Sequence, residues 1–239
     1  MIKVMLDNNG FLKVVSDSFT EFLNSGTSRS TAKLIPLHGA IARDIAERLG
    51  NEYVISAKGY GDGKESSISG RYIEKSVYIK IAKNNVAFAG ISVKFVMQNY
   101  SKNSNNYFEQ MLGETANIRS AQRLYFQIFV ILDKLPYYNS TKKITKWETL
   151  SEHNISKYAA LSQDDISCYS HTPNKTLVFV VHIPDNEDLT TLDEYLGYYK
   201  HTDYKMQLSE RKYVPFGPAV IMNDYKTFMD KVYFTIMAL

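Results

Sequence analysis

Two neighbouring stretches in the first half of the chain alternate between apolar and polar residues. Residues 71–81 and 86–97 both show this period of two, which is typical of β-strands with one face on a core. Asn84 and Asn85 lie between the two stretches and favour a turn. The pattern therefore predicts a β-hairpin.

The length of the turn decides which residues of the predicted hairpin face each other. If the loop takes three residues, or two with a bulge, Tyr78 lies opposite Ser92 and Ser76 lies opposite Lys94. Polar side chains of both strands then share one face. We expect any chemistry to take place on that face.

Apolar residues at helical spacing precede the hairpin. They occupy residues 11–24 and 36–49, and Gly50 stands where a helix would end. Residues 53–58 are predicted to form a strand. The glycine-rich segment 58–70 lacks the spacing of a phosphate-binding loop, so we interpret it as a turn.

A third helix is predicted after the hairpin, within residues 103–123, with Asn105 or Asn106 as its cap. Two short apolar runs, residues 124–133 and 176–183, are of the kind that buried strands show. Further helices are expected within residues 151–160, 189–200 and 224–237.

Together these elements predict an α/β fold with a central mixed β-sheet flanked by helices. A chain of 239 residues, 44% of them hydrophobic, is long enough to form one such domain. We expect N-terminal helices over residues 1–50, the hairpin with the next helix and strand over 51–135, and the rest of the sheet with the C-terminal helices over 136–239.

Composition says more about the cellular compartment of the protein than about the reaction it catalyses or the ligand it binds. The single cysteine, Cys168, excludes an intramolecular disulfide and any multi-cysteine metal cluster. The start of the chain has no basic stretch followed by an apolar run, and no segment approaches the ~18–20 apolar residues of a membrane span. We therefore expect a soluble, cytoplasmic protein. The net charge of +3 permits a polyanionic partner but does not require one.

Lys94 is the residue that first suggests a function. A lysine within a sheet loses much of its hydration unless it reaches solvent, pairs with a carboxylate or binds an anion. An edge-strand lysine that reaches solvent is one interpretation. Glu109 supports the other, because the predicted third helix can place this carboxylate beside Lys94. A lysine and a carboxylate at one end of a sheet are suited to Mg²⁺-assisted hydrolysis of a phosphodiester.

The motif Ser92-Val93-Lys94 on the second hairpin strand, with Glu109 on the next helix, resembles the PD-(D/E)xK nuclease superfamily and its type II restriction endonucleases. In the common form of that motif an aspartate stands on the first strand and D/E-x-K on the second. In one subgroup serine replaces the second acid, and a glutamate on the following helix supplies the carboxylate. The resemblance covers residues 70–119 and reaches the rest of the chain only in outline.

The resemblance implies a restriction-endonuclease-like fold in a bacterial protein that cuts double-stranded DNA. It also implies a Mg²⁺ ion held by Glu109 and the carbonyl of Val93, with Lys94 and Ser92 in the catalytic centre. Glu47, on the second predicted helix, matches the family's use of an N-terminal-helix acid at the metal site, although a solvated surface position is the more ordinary interpretation.

One position departs from the family pattern. The register places Tyr78 where the resemblance expects the metal-binding aspartate, and a neutral phenol is a poor Mg²⁺ ligand. Glu74 lies on the same face, but four residues of strand place it roughly 13 Å away. We therefore interpret the chain as written as an impaired nuclease, with Tyr78 at the vacant position of the catalytic centre.

Several polar residues around the motif are candidate DNA contacts. Glu114 and His182 are not among these candidates. Glu114 is expected at the surface and His182 in the core. Contacts to DNA are predicted for Asn103, Asn105, Asn106, Arg119 and Arg123, with Lys142, Lys143 and Lys146 as further phosphate contacts. Each of these has an alternative interpretation as an ordinary solvated residue.

Two hypotheses from different classes follow. The first is a Mg²⁺-dependent, sequence-specific DNA endonuclease that forms a homodimer, because two symmetric subunits most simply cut both strands of a palindromic site. The second is a non-catalytic DNA-binding or protein-interaction protein on a nuclease-like fold, which Tyr78 favours. Binding of duplex DNA without cleavage in Mg²⁺ would favour the second.

Overall fold

A computed structural model describes residues 5–26 and 32–239, and the predictions for the first four residues lie outside these ranges. The helices are α1 (Asn8–Ser25), α2 (Ile35–Leu49), α3 (Tyr100–Arg119), α4 (Glu152–Ser162), α5 (Leu192–His201) and α6 (Tyr225–Met237). The strands are β1 (Tyr53–Ala57), β2 (Ser66–Ser69), β3 (Glu74–Val77), β4 (Ile79–Lys83), β5 (Val86–Val96), β6 (Leu124–Leu132), β7 (Lys134–Tyr138), β8 (Ile144–Thr149), β9 (Lys175–His182), β10 (Gln207–Leu208) and β11 (Val220–Met222).

A seven-stranded sheet forms the centre of the fold, in the order β1-β4-β5-β6-β9-β10, with β11 also paired to β9. The pairs β1–β4, β4–β5 and β9–β10 are antiparallel, whereas the pairs β5–β6, β6–β9 and β9–β11 are parallel. This arrangement confirms the predicted α/β fold with a central mixed sheet flanked by helices. Within the described ranges, no helix has the length and apolarity that crossing a bilayer requires.

The two faces of the sheet are covered by different helices. Phe129 of β6 packs against Tyr158 of α4 on the face that α3 and α4 cover. Phe179 of β9 points the other way and packs against Phe11 of α1, which stacks on Tyr225 of α6. Because β6 and β9 are buried on both faces, their sequences are largely apolar, which is why they could be predicted as strands.

The predicted β4–β5 hairpin is present with its predicted register. Asn84 and Asn85 form the two-residue turn with positive φ angles of 52° and 62°, and a bulge follows at Ala82. Ile79 then pairs with Ile91. Continued by one residue, this register places Tyr78 opposite Ser92.

The predicted strand over residues 71–81 is divided at Tyr78, which corrects part of the prediction. Residues before Tyr78 form β3, which leaves the central sheet and pairs with β2. Ser76 therefore lies opposite Ser67 and not opposite Lys94. Ile68 and Val77 of this small sheet bury their side chains against Tyr125 of β6, in a second apolar cluster that explains why the strand departs.

Helix α3 begins at Tyr100, five residues before the predicted cap at Asn105. Its N-cap is Asn99, whose backbone is left-handed with φ of 52°. The Asn99 side chain accepts a hydrogen bond from the backbone of Tyr138 on β7 at 2.6 Å. The helix start is thus fixed by a long-range contact to the β7–β8 hairpin, which the sequence pattern did not predict.

Asn117 on α3 ties the β2–β3 connection to the helix. Its carboxamide oxygen accepts from the backbone N–H groups of Tyr72 (2.9 Å) and Ile73 (3.2 Å), and its amide donates to the carbonyl of Ile73 (2.9 Å). The backbone N–H of Arg71 donates to the Asn117 carbonyl at 2.8 Å. Gly70 is required at the close approach, because a Cβ there would overlap the Asn117 side chain.

Two glycine substitutions are expected to change stability in opposite directions. Gly70→Ala forces the Asn117 side chain away from its partners, so we expect a loss of roughly 1–3 kcal/mol in the free energy of unfolding. Gly113→Ala, in the middle of α3 with open space around it, is expected to gain about 1 kcal/mol. Urea unfolding monitored by circular dichroism measures both. Equal stabilities for the two variants would contradict the tight packing at Gly70.

Candidate functional site

Lys94 lies three residues from the end of β5, on the face that α3 covers. Its ammonium is 5.8 Å from the centroid of the Tyr78 ring and 5.9 Å from that of Tyr107 on α3. Rings at this distance attract a cation through their quadrupole. Lys94 is therefore half-buried between two phenol rings, which excludes the interpretation as an edge-strand lysine extended into water. Ser92, two residues earlier, is buried.

Burial lowers the pKa of Lys94. The negative charge of Glu114 raises this pKa and the positive charge of Lys75 lowers it. Burial is the largest of the three effects, so the ammonium is held less firmly than at the protein surface. An anionic ligand beside Lys94 would offset that cost.

Glu114 is the carboxylate that connects the residues around Lys94. Its side chain is 11% exposed, and one oxygen lies 2.7 Å from the ammonium of Lys75 on β3. The other oxygen accepts a hydrogen bond at 3.0 Å from the hydroxyl of the buried Tyr125 on β6. The expectation that Glu114 lies at the surface was therefore wrong.

Glu109 has a different environment. It is exposed, and its charge acts on Lys157 of α4, where burial lowers the pKa of the ammonium and Glu109 opposes that shift. At 3.6 residues per turn, Glu109 lies roughly 180° around α3 from the buried Tyr100. Glu114, five residues further along, lies roughly 140° from Glu109 and faces the sheet. The spacing of Tyr107, Met111, Glu114 and Ile118 along the chain was the signal that could have identified this face.

Tyr78 occupies the bend between β3 and β4 and is half-buried. Burial raises its pKa, and the charges of Glu114 and Glu65 raise it further. The phenol is therefore protonated and neutral at pH 7. The structure brings Tyr78 to Lys94, as the sequence predicted, but the position presents an aromatic ring where a metal ligand was expected.

His38 on α2 belongs to the same region, although no pattern in the sequence indicated it. Its ring centroid is 4.7 Å from that of Tyr78, and neither ring nitrogen has a hydrogen-bond partner within the described residues. Burial, with a smaller contribution from the charge of Lys58, lowers the pKa of His38 to about 3. The imidazole is therefore neutral.

Glu47 lies on α2 nine residues beyond His38, which is roughly 14 Å along the helix. It lines a separate cleft with Arg48 of α2 and Asp230 of α6. His38, and not Glu47, is thus the α2 residue that approaches Tyr78. Val93 is buried and pairs with Ile128, and the ligand role of its carbonyl stays a prediction.

The predicted DNA-contacting asparagines lie in the first two turns of α3 and not in a loop. Asn103 donates to the carbonyl of Asn99 at 3.4 Å, and Asn105 accepts from the ammonium of Lys157 at 3.2 Å. Asn106 is exposed. Their DNA contacts stay a prediction.

Arg119 and Arg123 are occupied by backbone carbonyls. The guanidinium of Arg119 donates to three of them, and that of Arg123 contacts two. The Arg119 acceptors are Ile166 (2.5 Å), Tyr169 (2.7 Å) and Thr172 (2.7 Å), and those of Arg123 are Ser69 (3.3 Å) and Ala87. These contacts hold surface segments in place, so the structure gives no support to a phosphate-binding role for either arginine.

His182 ends β9 and is 40% exposed at its side chain, with Nδ1 3.1 Å from a carboxylate oxygen of the buried Asp133. It was expected in the core, and the structure places it at the carboxyl edge of the sheet. The interaction with Asp133 satisfies one ring nitrogen. This pair lies at the end of β6 and β9 and takes no part in the contacts around Lys94 recorded above.

The Mg²⁺ ligands that the resemblance implies are not gathered around Lys94. Glu114 is the carboxylate whose charge acts on Lys94, and Lys75 and Tyr125 bind its two oxygens. Tyr78 is a neutral phenol at the position where a second acid was expected. Throughout residues 5–26 and 32–239, no group of three His, Cys, Asp or Glu residues is arranged to hold a metal ion. Bound Mg²⁺ usually needs one or two carboxylates that are available to the ion.

Comparison with protein-family models, with curated proteins and with solved structures found no match to this chain. The restriction-endonuclease resemblance therefore stays an expectation.

The pKa of Lys94 provides a test of this geometry. Glu114→Gln removes the negative charge that raises the pKa and releases Lys75, whose charge lowers it, so the pKa of Lys94 should fall further below its usual range. Glu109→Gln is the matched control and should leave it unchanged. NMR titration of protein with ¹³C-methylated lysines measures the value. An equal effect of both substitutions would contradict the assignment of Glu114 as the carboxylate beside Lys94.

Proposed function

We propose that the chain is a double-stranded DNA-binding protein of the restriction-endonuclease type, in which the hydrolytic centre is incomplete. The order β4, β5, α3, β6 supports this proposal, because a hairpin carries Ser92 and Lys94 on its second strand and the next helix supplies a carboxylate. That carboxylate is Glu114. It replaces Glu109 in the site that the resemblance implied.

The observation that carries the proposal is a half-buried Lys94 beside the ring of Tyr78, where the negative charge of Glu114 raises the pKa of the ammonium that burial lowers. A lysine in such a position is suited to neutralise a phosphate oxygen. The acid expected opposite Ser92 is absent, and Tyr78 fills its place. The centre therefore keeps the group that binds a phosphodiester and lacks the donors for hydrolysis.

Exposed lysines lie on neighbouring elements, and one of them, Lys146, is paired with Glu148 at 3.3 Å. Lys142, Lys143 and Lys146 are exposed on the β7–β8 hairpin, and Lys102 is exposed on the first turn of α3. The Asn99–Tyr138 hydrogen bond joins this hairpin to the start of α3, near the end of β5 that carries Lys94. Phosphate contacts by lysine supply most of the affinity in nonspecific DNA binding. A symmetric homodimer would present these lysines to both strands of a palindromic site.

Duplex DNA should bind to the protein in a strongly salt-dependent manner. We expect the affinity to fall on the order of a thousandfold between about 50 and about 200 mM salt, because lysine–phosphate contacts release counterions. Gel retardation and fluorescence anisotropy with mixed-sequence duplexes measure this. Binding should be the same in Mg²⁺ and in EDTA. Failure to bind any duplex at low salt would contradict the proposed function.

Restoring an acid at position 78 should restore cleavage. Tyr78→Asp adds a carboxylate beside Lys94 and near Glu114, and two acids meet the usual requirement of a Mg²⁺ site. We expect discrete fragments from a large mixed DNA substrate in Mg²⁺ and none in Ca²⁺ or EDTA. Tyr78→Asn is the matched control, since it has the shape of aspartate without its charge, and it should cut nothing.

Lys94→Ala in the Tyr78→Asp background should abolish cleavage and leave DNA binding largely intact, because Lys94 is proposed to act at the scissile phosphate. If Tyr78→Asp folds and binds DNA but does not cut, position 78 is not the vacant acid position. Cleavage by the unaltered protein at the rate of the aspartate variant would lead to the same conclusion.

A further inference from the structure

Two large apolar side chains are exposed side by side in the loop that joins β2 and β3. Tyr72 is 76% exposed and Ile73 is 64% exposed. Scattered single apolar residues are ordinary on protein surfaces, but adjacent ones at the tip of a loop are often functional. Tyr72 and Ile73 are therefore a candidate contact surface for a partner.

Hydrogen bonds hold the backbone of this loop in one conformation, so its side chains cannot turn inward. Asn117 binds the backbone of Arg71, Tyr72 and Ile73 through four hydrogen bonds. A further bond, from the N–H of Gly70 to the carbonyl of Ile73 at 3.1 Å, closes the turn. Because Asn117 binds the backbone from the side of α3, Tyr72 and Ile73 point into solvent.

Arg71 adds a positive charge to the same tip. It is exposed, and its guanidinium carbon lies 5.6 Å from the centroid of the Tyr72 ring. Such a cation–π contact aligns the ring and the guanidinium on the outside of the loop. The tip thus combines a cation, an aromatic ring and a branched apolar side chain.

The loop is joined to the candidate centre through short connections. Lys75 follows Ile73 by two residues and pairs with Glu114. Asn117 follows Glu114 by three residues on α3, which is about 4.5 Å along the helix axis. A ligand that reaches Lys94 and Glu114 therefore lies within reach of the loop.

We propose that residues 70–73 form a DNA-contacting loop, in which Tyr72 and Ile73 insert at a base step and Arg71 binds the adjacent phosphate. This inference rests on the proposed function. Apolar wedges that partly unstack a base step, flanked by arginine, are a general mode of DNA binding. The charge of Arg71 complements a polyanion.

A second copy of the chain fits this tip less well than DNA does. A stable protein interface buries about 800 Å² on each partner and takes roughly 20–30 residues a side. The exposed apolar surface here comes from two adjacent residues. A narrow rigid tip is instead suited to the groove of a duplex.

The test compares substitutions in the loop with one elsewhere. Tyr72→Ala should weaken binding of mixed-sequence duplex DNA roughly tenfold, the contribution of one aromatic stack, without changing the salt dependence. Arg71→Ala should reduce the slope of log affinity against log salt by about one. Phe234→Ala is the matched control, because Phe234 is another exposed aromatic side chain, at 64%, but lies on α6, across the sheet from α3. It should change neither quantity.

Three outcomes would overturn the inference. If the unaltered protein binds DNA and Tyr72→Ala binds equally well, the loop proposal fails alone. If the unaltered protein binds no DNA, the proposed function and the loop proposal fail together. If Tyr72→Ala lowers self-association in sedimentation and not DNA affinity, the tip is a contact between copies. Each variant should have the same thermal unfolding midpoint as the unaltered protein, which confirms that its fold is intact.

Discussion

The ion pair between Lys75 and Glu114 fixes the arrangement of the region around it. A carboxylate with little exposure is costly unless charged and hydrogen-bonding groups surround it. Lys75 and Tyr125 supply these groups, one from the small β2–β3 sheet and one from the central sheet. Glu114 therefore joins three separate elements, and it sets both the rotation of α3 about its axis and the position of β3. Lys94 and Tyr78 take their environments from this arrangement.

The parts of the fold that the sequence could predict are those determined by local pattern. The asparagine turn set the register of the hairpin, and the apolar runs of β6 and β9 marked strands buried on both faces. The start of α3 could not be predicted, because the contact of Asn99 with Tyr138 links residues far apart in the chain. The predicted cap at Asn105 or Asn106 lies six or seven residues after the observed N-cap at Asn99. Glu109 was chosen from its spacing to Lys94 and from the resemblance, whereas the contacts of Glu114 with Lys75 and Tyr125 come from separate elements that local pattern does not bring together.

The candidate site contains polar groups whose burial is costly. Lys94 is half-buried, and neither ring nitrogen of the buried His38 has a hydrogen-bond partner among the described residues, at a cost of roughly 1–3 kcal/mol each. Buried polar atoms without such a partner also occur away from the site, on Trp147 and Tyr195, so burial alone does not mark a functional residue. The arginines give the opposite case, because Arg119 resembles a DNA contact in the sequence and is used to hold a surface segment through three carbonyls. A count of charged residues in the sequence cannot distinguish an arginine that contacts DNA from one that binds backbone carbonyls.

The division of a strand at Tyr78 has a consequence for dynamics. Residues on either side of the bend belong to different sheets, so their backbone hydrogen bonds are made with different partners. Elements with separate hydrogen bonding can open separately, and their amides then exchange with solvent at separate rates. Opening of β2–β3 would carry Lys75 away from Glu114 while β4 and β5 stayed paired. The bend at Tyr78 therefore allows the small sheet to open as a unit of local unfolding while the core keeps Lys94 in place.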